Sequence, residues 1–93
     1  MEEGNRLIIT VLGKDRVGII YGISGVLANT NVNILDISQT ILQGFFTMVM
    51  VVDFSQSTVD LAELKRRLDE KGQELGIQVT VQHEDIFRYM HRI

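Results

Sequence analysis

The fold follows from one stretch, Gly13–Ile19, whose sequence is GKDRVGI. The residues before it, 7–12, are apolar except for one threonine and rich in β-branched side chains, which predicts a buried strand. Over residues 17–30 apolar side chains recur at helical spacing, which predicts a helix. We therefore expect a tight turn from strand to helix. Gly13 would adopt a backbone angle that other residues resist, and Gly18 would allow a chain or ligand to approach closely.

The start of this helix is a candidate position for a small anion. The first N–H groups of a helix have no partner inside it, and the helix dipole places partial positive charge there. A helix that begins near Val17 or Gly18 would therefore stabilise a carboxylate. The turn is not a Walker phosphate loop, because no Lys-Ser or Lys-Thr pair follows a glycine at the required spacing. It also lacks the Gly-x-Gly start of a dinucleotide fingerprint.

The rest of the chain alternates strand and helix patterns. Gln43-Gly44 predicts a tight hairpin turn, Ser57 or Thr58 can cap the following helix, and Gly76 is a natural left-handed helix stop. The predicted elements are strands at 7–12, 33–42, 45–54 and 77–82 and helices at 17–30, 59–75 and 84–93.

This order predicts an α+β fold of the ferredoxin-like type. Its βαββαβ plan is a sandwich of one antiparallel four-stranded sheet with two helices on one face. Right-handed crossovers and the adjacency of successive elements give the strand order 4-1-3-2. The length of 93 residues fits a single domain, 1–93, with a core at about 6–83 and a short C-terminal helix at about 84–93.

The strands alone also predict self-association. Two helices cover one face of the sheet, yet the first and third strands are apolar on both faces. In the first strand Ile8 and Leu12 are apolar as well as Leu7, Ile9 and Val11. Soluble proteins rarely leave such a patch in water. Either the C-terminal helix covers it, through Ile86, Phe87 and Met90, or a second subunit does. We predict a homodimer with twofold symmetry.

Composition excludes several classes of partner. The net charge is −3 with a pI near 5.2, and the only basic cluster, Lys65–Arg67, stands among acidic residues, so nucleic-acid binding has no electrostatic support. No apolar run approaches the length of a membrane span, and the N-terminus shows no signal-peptide pattern. The chain has no cysteine. We expect a cytoplasmic protein that binds neither nucleic acid nor membrane.

Catalytic and metal chemistry find little support. His83 and His91 lie in different predicted elements and lack the further ligands that zinc requires, so no metal or cofactor is expected. Asp15 and Asp36 are better explained as a turn residue and a solvent-facing residue than as a catalytic pair. The ferredoxin-like plan also includes acylphosphatase, whose arginine would here be Arg16, but the rest of its glycine-rich signature is missing.

At this point the residues match a known family. Gly13–Ile19 resembles the G-x-D-R-x-G-I turn of ACT domains, which are small-molecule-sensing regulatory modules. Asn33–Ile37 resembles the N-I-x-D-I start of their second strand, and the residues at 36–40 and 46–48 fit stand-alone proteins related to the glycine cleavage system repressor. Val17 stands where the family usually has proline, which would preset the backbone at the helix start.

The resemblance implies a dimer that binds an amino acid between the first turn of one subunit and the second strand of its neighbour. The helix start near Gly18 and Ile19 would receive the α-carboxylate of the ligand. Asp15 or Asp36 would receive its α-ammonium group. Asn33 would donate and accept hydrogen bonds. Asp15 and Asn33 are also good turn and cap residues. The implied ligand-binding residues are Asp15, Arg16, Val17, Gly18, Ile19, Asn33, Ile34 and Asp36.

Three functions remain open at this stage. The first is a non-catalytic regulatory homodimer whose amino-acid ligand changes its affinity for a regulated protein partner. The second is a ligand-free interaction module that binds a partner through its apolar sheet face or its sheet edge. The third is an acylphosphatase-like enzyme.

Overall fold

The predicted βαββαβ fold is confirmed by a computed structural model that describes residues 5–84. The strands pair antiparallel in the order β2-β3-β1-β4, as predicted. The predicted terminal helix at 84–93 lies outside the described residues apart from Glu84. The elements are β1 (Arg6–Lys14), α1 (Ile19–Asn29), β2 (Asn33–Leu42), β3 (Phe45–Asp53), α2 (Leu61–Leu75) and β4 (Ile77–His83).

Both helices pack on the same face of the sheet. Alternate residues of the two central strands point to that face and are fully buried, because successive side chains of a strand point to opposite sides. The helices add residues at spacings of three and four, so that one side of each helix is apolar. The core contains Leu7, Ile9 and Val11 of β1, Met48, Met50 and Val52 of β3, Ile19, Ile23 and Leu27 of α1, and Leu64 and Leu68 of α2.

The other face of the sheet is apolar at one end and exposed there. Along β1 the exposed fraction rises from 9% at Ile8 to 47% at Leu12. Leu42 and Phe45 pair with each other beside Lys14, and Val49 lies further along β3 on the same face. We call Leu12, Leu42, Phe45 and Val49, all exposed, the open-face patch.

Strand β2 is an edge strand that the helices leave bare. All of its residues except Ile34 are exposed, and a β-bulge at Leu35 shifts its register against β3. Ile37 and Ile41 pair with buried residues of β3 and so face the helix side, yet they are 43% and 55% exposed. The apolar layer therefore continues beyond the helices at this edge.

The two turn glycines exchange their expected roles. Gly18 has a φ of +96°, so the helix begins at Ile19 rather than near Val17. Gly13 lies within β1 without a positive φ, and a Cβ there would stand 2.8 Å from Cγ2 of Ile77. The unusual backbone angle therefore belongs to Gly18, and the close approach, between β1 and β4, belongs to Gly13.

Helix α2 begins later than its apolar pattern predicts. Its N-cap is Asp60, whose carboxylate accepts a hydrogen bond from the Glu63 N–H at 2.8 Å. The expected cap at Ser57 or Thr58 is wrong. The Ser57 hydroxyl instead donates to the Val59 carbonyl at 2.8 Å and accepts from the Val59 N–H at 3.2 Å, before the helix begins. Gly76 ends the helix with a φ of +72°, as predicted.

Candidate functional site

The turn before α1 presents free backbone donors. The Gly22 N–H donates to the Gly18 carbonyl at 2.8 Å and begins the helical ladder. The preceding N–H groups, at residues 19–21, therefore have no helical partner, and no side chain caps Gly18. Within residues 5–84, no backbone or side-chain oxygen accepts a hydrogen bond from these N–H groups. This end of the helix can bind a small anion through backbone donors alone.

The turn is held in place by contacts outside itself. The Asp15 N–H donates to the Gly44 carbonyl at 2.9 Å, which joins the turn to the β2–β3 hairpin. Nη1 of Arg16 donates to the Leu75 carbonyl at 2.9 Å, at the C-terminal end of α2. Between these two anchors Val17 projects into solvent and is 96% exposed.

Some turn residues can contact a ligand through the backbone and others through the side chain. Ile19 places its side chain in the core, so only its backbone N–H is available at the site. Asp15 is exposed and carries a carboxylate at the same end of the molecule. The guanidinium of Arg16 is directed to α2 rather than to the free N–H groups. The five predicted turn residues, 15–19, are thus together in space.

The predicted residues of β2 lie at the other end of the sheet. Asn33 is in register with Asp53, which pairs with Arg6 at the start of β1, whereas the turn follows Lys14 at its end. The nine residues of β1 span about 26 Å at the usual rise of a strand. One chain therefore does not bring Asn33 to the turn.

The other two predicted residues have local roles. Ile34 packs against the core cluster. Asp36 lies on the face opposite the helices, in register with Val51, and its Oδ1 accepts from the Ile37 N–H at 2.9 Å. These positions place Asp36 across the sheet from the helix start.

Two surface grooves lie along the helix layer, away from the turn. One, of about 470 Å³, runs beside α1 from Tyr21 past Gly25 to Asn29, with Lys71 of α2 on its other side. The second, of about 500 Å³, is bounded by Ala28, Asn31, Val32, Asn33 and Gln56. Sequence reasoning did not anticipate either groove. The only signal for the first is the set of helical glycines at 22 and 25.

These helical glycines serve different purposes. A Cβ at Gly22 would lie 2.9 Å from Cδ1 of Leu75, so this glycine lets α1 approach α2. Gly22 therefore faces the other helix rather than the sheet. A Cβ at Gly25 would meet nothing within 4 Å, which leaves the groove open there.

The strongest electrostatic features lie on α2, not at the turn. Glu63 accepts hydrogen bonds from Arg66 at 2.7 Å and Arg67 at 2.8 Å, and these bonds lower the pKa of its carboxyl from 4.5 to about 2. The same pairing raises the pKa of Arg66. Among residues 5–84, no three potential metal ligands come together, and neither helix has the length and apolar character needed to cross a bilayer.

The four-stranded antiparallel sheet with two helices on one face is that of a ferredoxin-like α+β domain. The family model for the ACT domain matches residues 5–82. The chain therefore belongs to the ACT domain family. Domains of this family are regulatory modules.

Relatives of similar length support this assignment. The chain is 60% identical over 89 residues to a UPF0237 protein of Methanocaldococcus jannaschii, covering 96% of this chain and 99% of that one. It is 56% identical over 86 residues to a UPF0237 protein of Clostridium perfringens, covering 92% and 97%.

Solved structures agree with the fold. An ACT domain protein from Streptococcus pneumoniae superposes with a TM-score of 0.77 at 43% identity, covering 88% of this chain and 92% of that chain. A putative glycine cleavage system transcriptional repressor superposes with a TM-score of 0.73 at 23% identity, covering 84% of this chain and 44% of that one. The second likeness is one of fold alone.

Proposed function

We propose that this chain is a non-catalytic regulatory module that binds a small amino acid at the interface of a homodimer. The observation that carries the proposal is the set of backbone N–H donors at residues 19–21, which have no partner within α1. They stand at the positive end of the helix dipole and suit an α-carboxylate. Asp15, exposed in the same turn, would receive the α-ammonium by a charge-assisted hydrogen bond.

A second copy would complete the site. Asn33, the implied partner of the ligand, is about 26 Å from the turn along the sheet of its own chain. An amino acid is far shorter than this distance. The two halves of the site can therefore meet only if the turn of one copy lies beside the start of β2 in another.

Antiparallel pairing of two β2 strands would produce this arrangement. β2 lies at an edge of the sheet, so its outer N–H and C=O groups are free to pair with another strand. A twofold axis near the middle of β2 reverses the second strand. Asn33 of the second copy would then lie beside Leu42, which pairs with Phe45 next to the end of β1 and the turn.

The same edge carries apolar surface that such pairing would bury. Ile37 and Ile41 are exposed on the helix side of β2. Ile20 of α1 is 40% exposed and, two residues from Gly22, points away from α2 and hence toward this edge. Charged or proline residues, which usually protect an edge strand, are limited in β2 to Asp36.

Ligand binding would couple to a partner protein through the dimer. A ligand that bridges two copies stabilises their association, and any partner that distinguishes the paired from the unpaired state gains or loses affinity by the same factor. The regulated partner would be another protein, since the composition offers no nucleic-acid surface.

A ligand-free interaction module is the second candidate. It is favoured by the open-face patch, in which four large apolar side chains are exposed on one sheet face. An acylphosphatase-like activity has no comparable support, because Arg16, the one arginine available to such a cradle, donates to the Leu75 carbonyl.

A thermal-shift screen over the common amino acids separates the first two candidates. A ligand at one hundred times its Kd should stabilise the protein by about 2.7 kcal/mol. Asp15→Ala should abolish the response, whereas Asp36→Ala, an equivalent change on the opposite face, should leave it intact. No response to any amino acid would favour the ligand-free module, and loss of response only in Asp36→Ala would move the ammonium contact to Asp36.

Mixing two inactive variants tests whether the site spans two copies. Asp15→Ala and Asn33→Ala should each fail to bind the amino acid that the screen identifies. In a mixed dimer, one of the two sites combines intact Asp15 with intact Asn33, so random exchange should restore about a quarter of the sites. Isothermal titration measures this fraction. No recovery after complete subunit exchange would contradict a shared site.

A further inference from the structure

The turn before α1 has little in its own sequence to fix its shape. Val17 is not a proline, Gly18 is the N-cap with a φ of +96°, and no side chain caps the helix. The first turn of α1 also contains no acidic residue. Glycine adopts many conformations in the unfolded chain, so the turn must be ordered by contacts from elsewhere.

Arg16 provides one of these contacts and meets a need of α2. The last carbonyl groups of a helix lack partners, and cations near that end interact favourably with the helix dipole. No basic residue lies in the last turn of α2. Arg16, 59 positions away in the chain, supplies the missing charge by donating from Nη1 to the Leu75 carbonyl at 2.9 Å.

The Arg16 guanidinium lies beside the residue that ends α2. Gly76 ends α2 with a φ of +72°, and the nearest atom to a Cβ built on it would be Nη1 of Arg16, at 3.8 Å. Leu75 also lies against Gly22 of α1. The guanidinium thus lies where the turn, α1 and the end of α2 meet.

We propose that Arg16 is a positioning residue that holds the turn against α2, and that it does not itself contact the ligand. With the Asp15 N–H bonded to Gly44, the turn is anchored at two consecutive residues to two different parts of the fold. The free N–H groups at residues 19–21 are thereby kept in one arrangement without a proline. This role rests on the proposed function in that it concerns the same site.

Amide hydrogen exchange of Arg16→Ala tests this role without any ligand. The Asp15 and Gly22 N–H groups donate bonds that exist only while the turn is in place. Their exchange should accelerate about fivefold, as expected for the loss of one hydrogen bond. The Leu64 N–H, which donates to Asp60 at the far end of α2, should keep its rate.

Lys14→Ala is the matched control, since it removes the same charge two residues earlier. It should leave the exchange of the Asp15 and Gly22 N–H groups unchanged. Equal acceleration at all three amides in Arg16→Ala would mean that Arg16 acts only on global stability. No acceleration at any of them would mean that Arg16 does not hold the turn. Either result overturns the proposal. A negative amino-acid screen, in contrast, would contradict the proposed function and leave this measurement unaffected.

Discussion

The two helices bury similar apolar faces and present opposite surfaces to their surroundings. Between Ile19 and Asn29, α1 contains no charged residue, and Ile20 and Tyr21 are exposed on it. About half of α2 is charged, and Glu63, Arg66 and Glu70 form an ion-pair network along it. A charged outer face is normal for a helix in water, whereas an uncharged one is typical of a surface that meets another molecule.

The strands at the two edges of the sheet differ in the same way. Nearly every residue of β2 is exposed, including large apolar ones, whereas β4 alternates between exposed and half-buried positions beneath α2. In the half formed by α2 and β4, residues 61–83, no large apolar side chain is exposed. The other half, α1 with β2, exposes several large apolar side chains, and we propose that a second copy covers them.

The largest expected effect on stability comes from substitutions in the hydrophobic core, to which both helices contribute. Ile23→Ala in α1 and Leu68→Ala in α2 each remove a fully buried side chain, so each should lower the free energy of unfolding by about 2–5 kcal/mol. Urea denaturation measures both. Lys65→Ala, on the exposed side of α2, should change it by less than about 0.5 kcal/mol. A loss confined to one helix would show that the halves do not form one core.

A change at the β2 edge should affect association and leave the fold intact. Ile37→Glu places two like charges close to the proposed twofold axis, so the dimer Kd should rise at least about 100-fold, or about 2.7 kcal/mol. Sedimentation equilibrium measures this change. Thr80→Glu, at the middle of the opposite edge strand, is the matched control and should leave association unchanged. Equal dissociation by both variants would remove the contrast between the edges.

Gly18, the N-cap of α1, and Gly25, within the helix, should respond to alanine with opposite signs. Gly18→Ala should cost about 1–2 kcal/mol, because its φ of +96° disfavours any side chain although nothing stands within 4 Å. Gly25→Ala should stabilise the chain by up to about 1 kcal/mol, because it lies within the helix beside open space. Urea unfolding of the two variants compares them directly. Destabilisation by both would mean that the groove beside Gly25 is already filled.

The smallest effect is the pH response of the α2 surface. Arg66 and Arg67 lower the pKa of the Glu63 carboxyl from 4.5 to about 2, so the ionised form is favoured in the folded state. Its stabilising contribution is therefore complete above pH 4.5 and disappears as the pH falls toward 2. The stability difference between wild type and Glu63→Gln should follow this course and shrink in high salt. A stability difference that stays constant between pH 4.5 and pH 2 would contradict this role of Arg66 and Arg67.

The order and interior of the elements could be read from the sequence because they depend on local periodicity. The limits of β2 agree with the prediction, and Gly76 ends α2 as expected. The starts of both helices were placed two residues early, at Val17 and Val59. In each case one residue decided the boundary, Gly18 through its left-handed backbone and Asp60 through its side-chain cap.

The site was only half accessible to sequence reasoning. The turn with its free helix start follows from glycine positions and the dipole, which are local properties. The bond from Arg16 to Leu75 joins residues 59 apart and leaves no trace in either segment. The separation of Asn33 from the turn follows from the antiparallel order of the strands. The pairing that we propose between two copies depends on the exposed apolar residues of β2, and periodicity alone does not distinguish this edge strand from β4.

Disulfide trapping along β2 tests the shared edge most directly, because the chain has no cysteine of its own. In an antiparallel pair about a twofold axis, one residue lies opposite its own copy at a Cα distance of about 4.5–5.5 Å, within disulfide reach. Among single-cysteine variants at positions 36–40, one should form a covalent dimer on mild oxidation, while Thr80→Cys in β4 should not. Failure of all five to cross-link, or equal cross-linking of Thr80→Cys, would contradict the account.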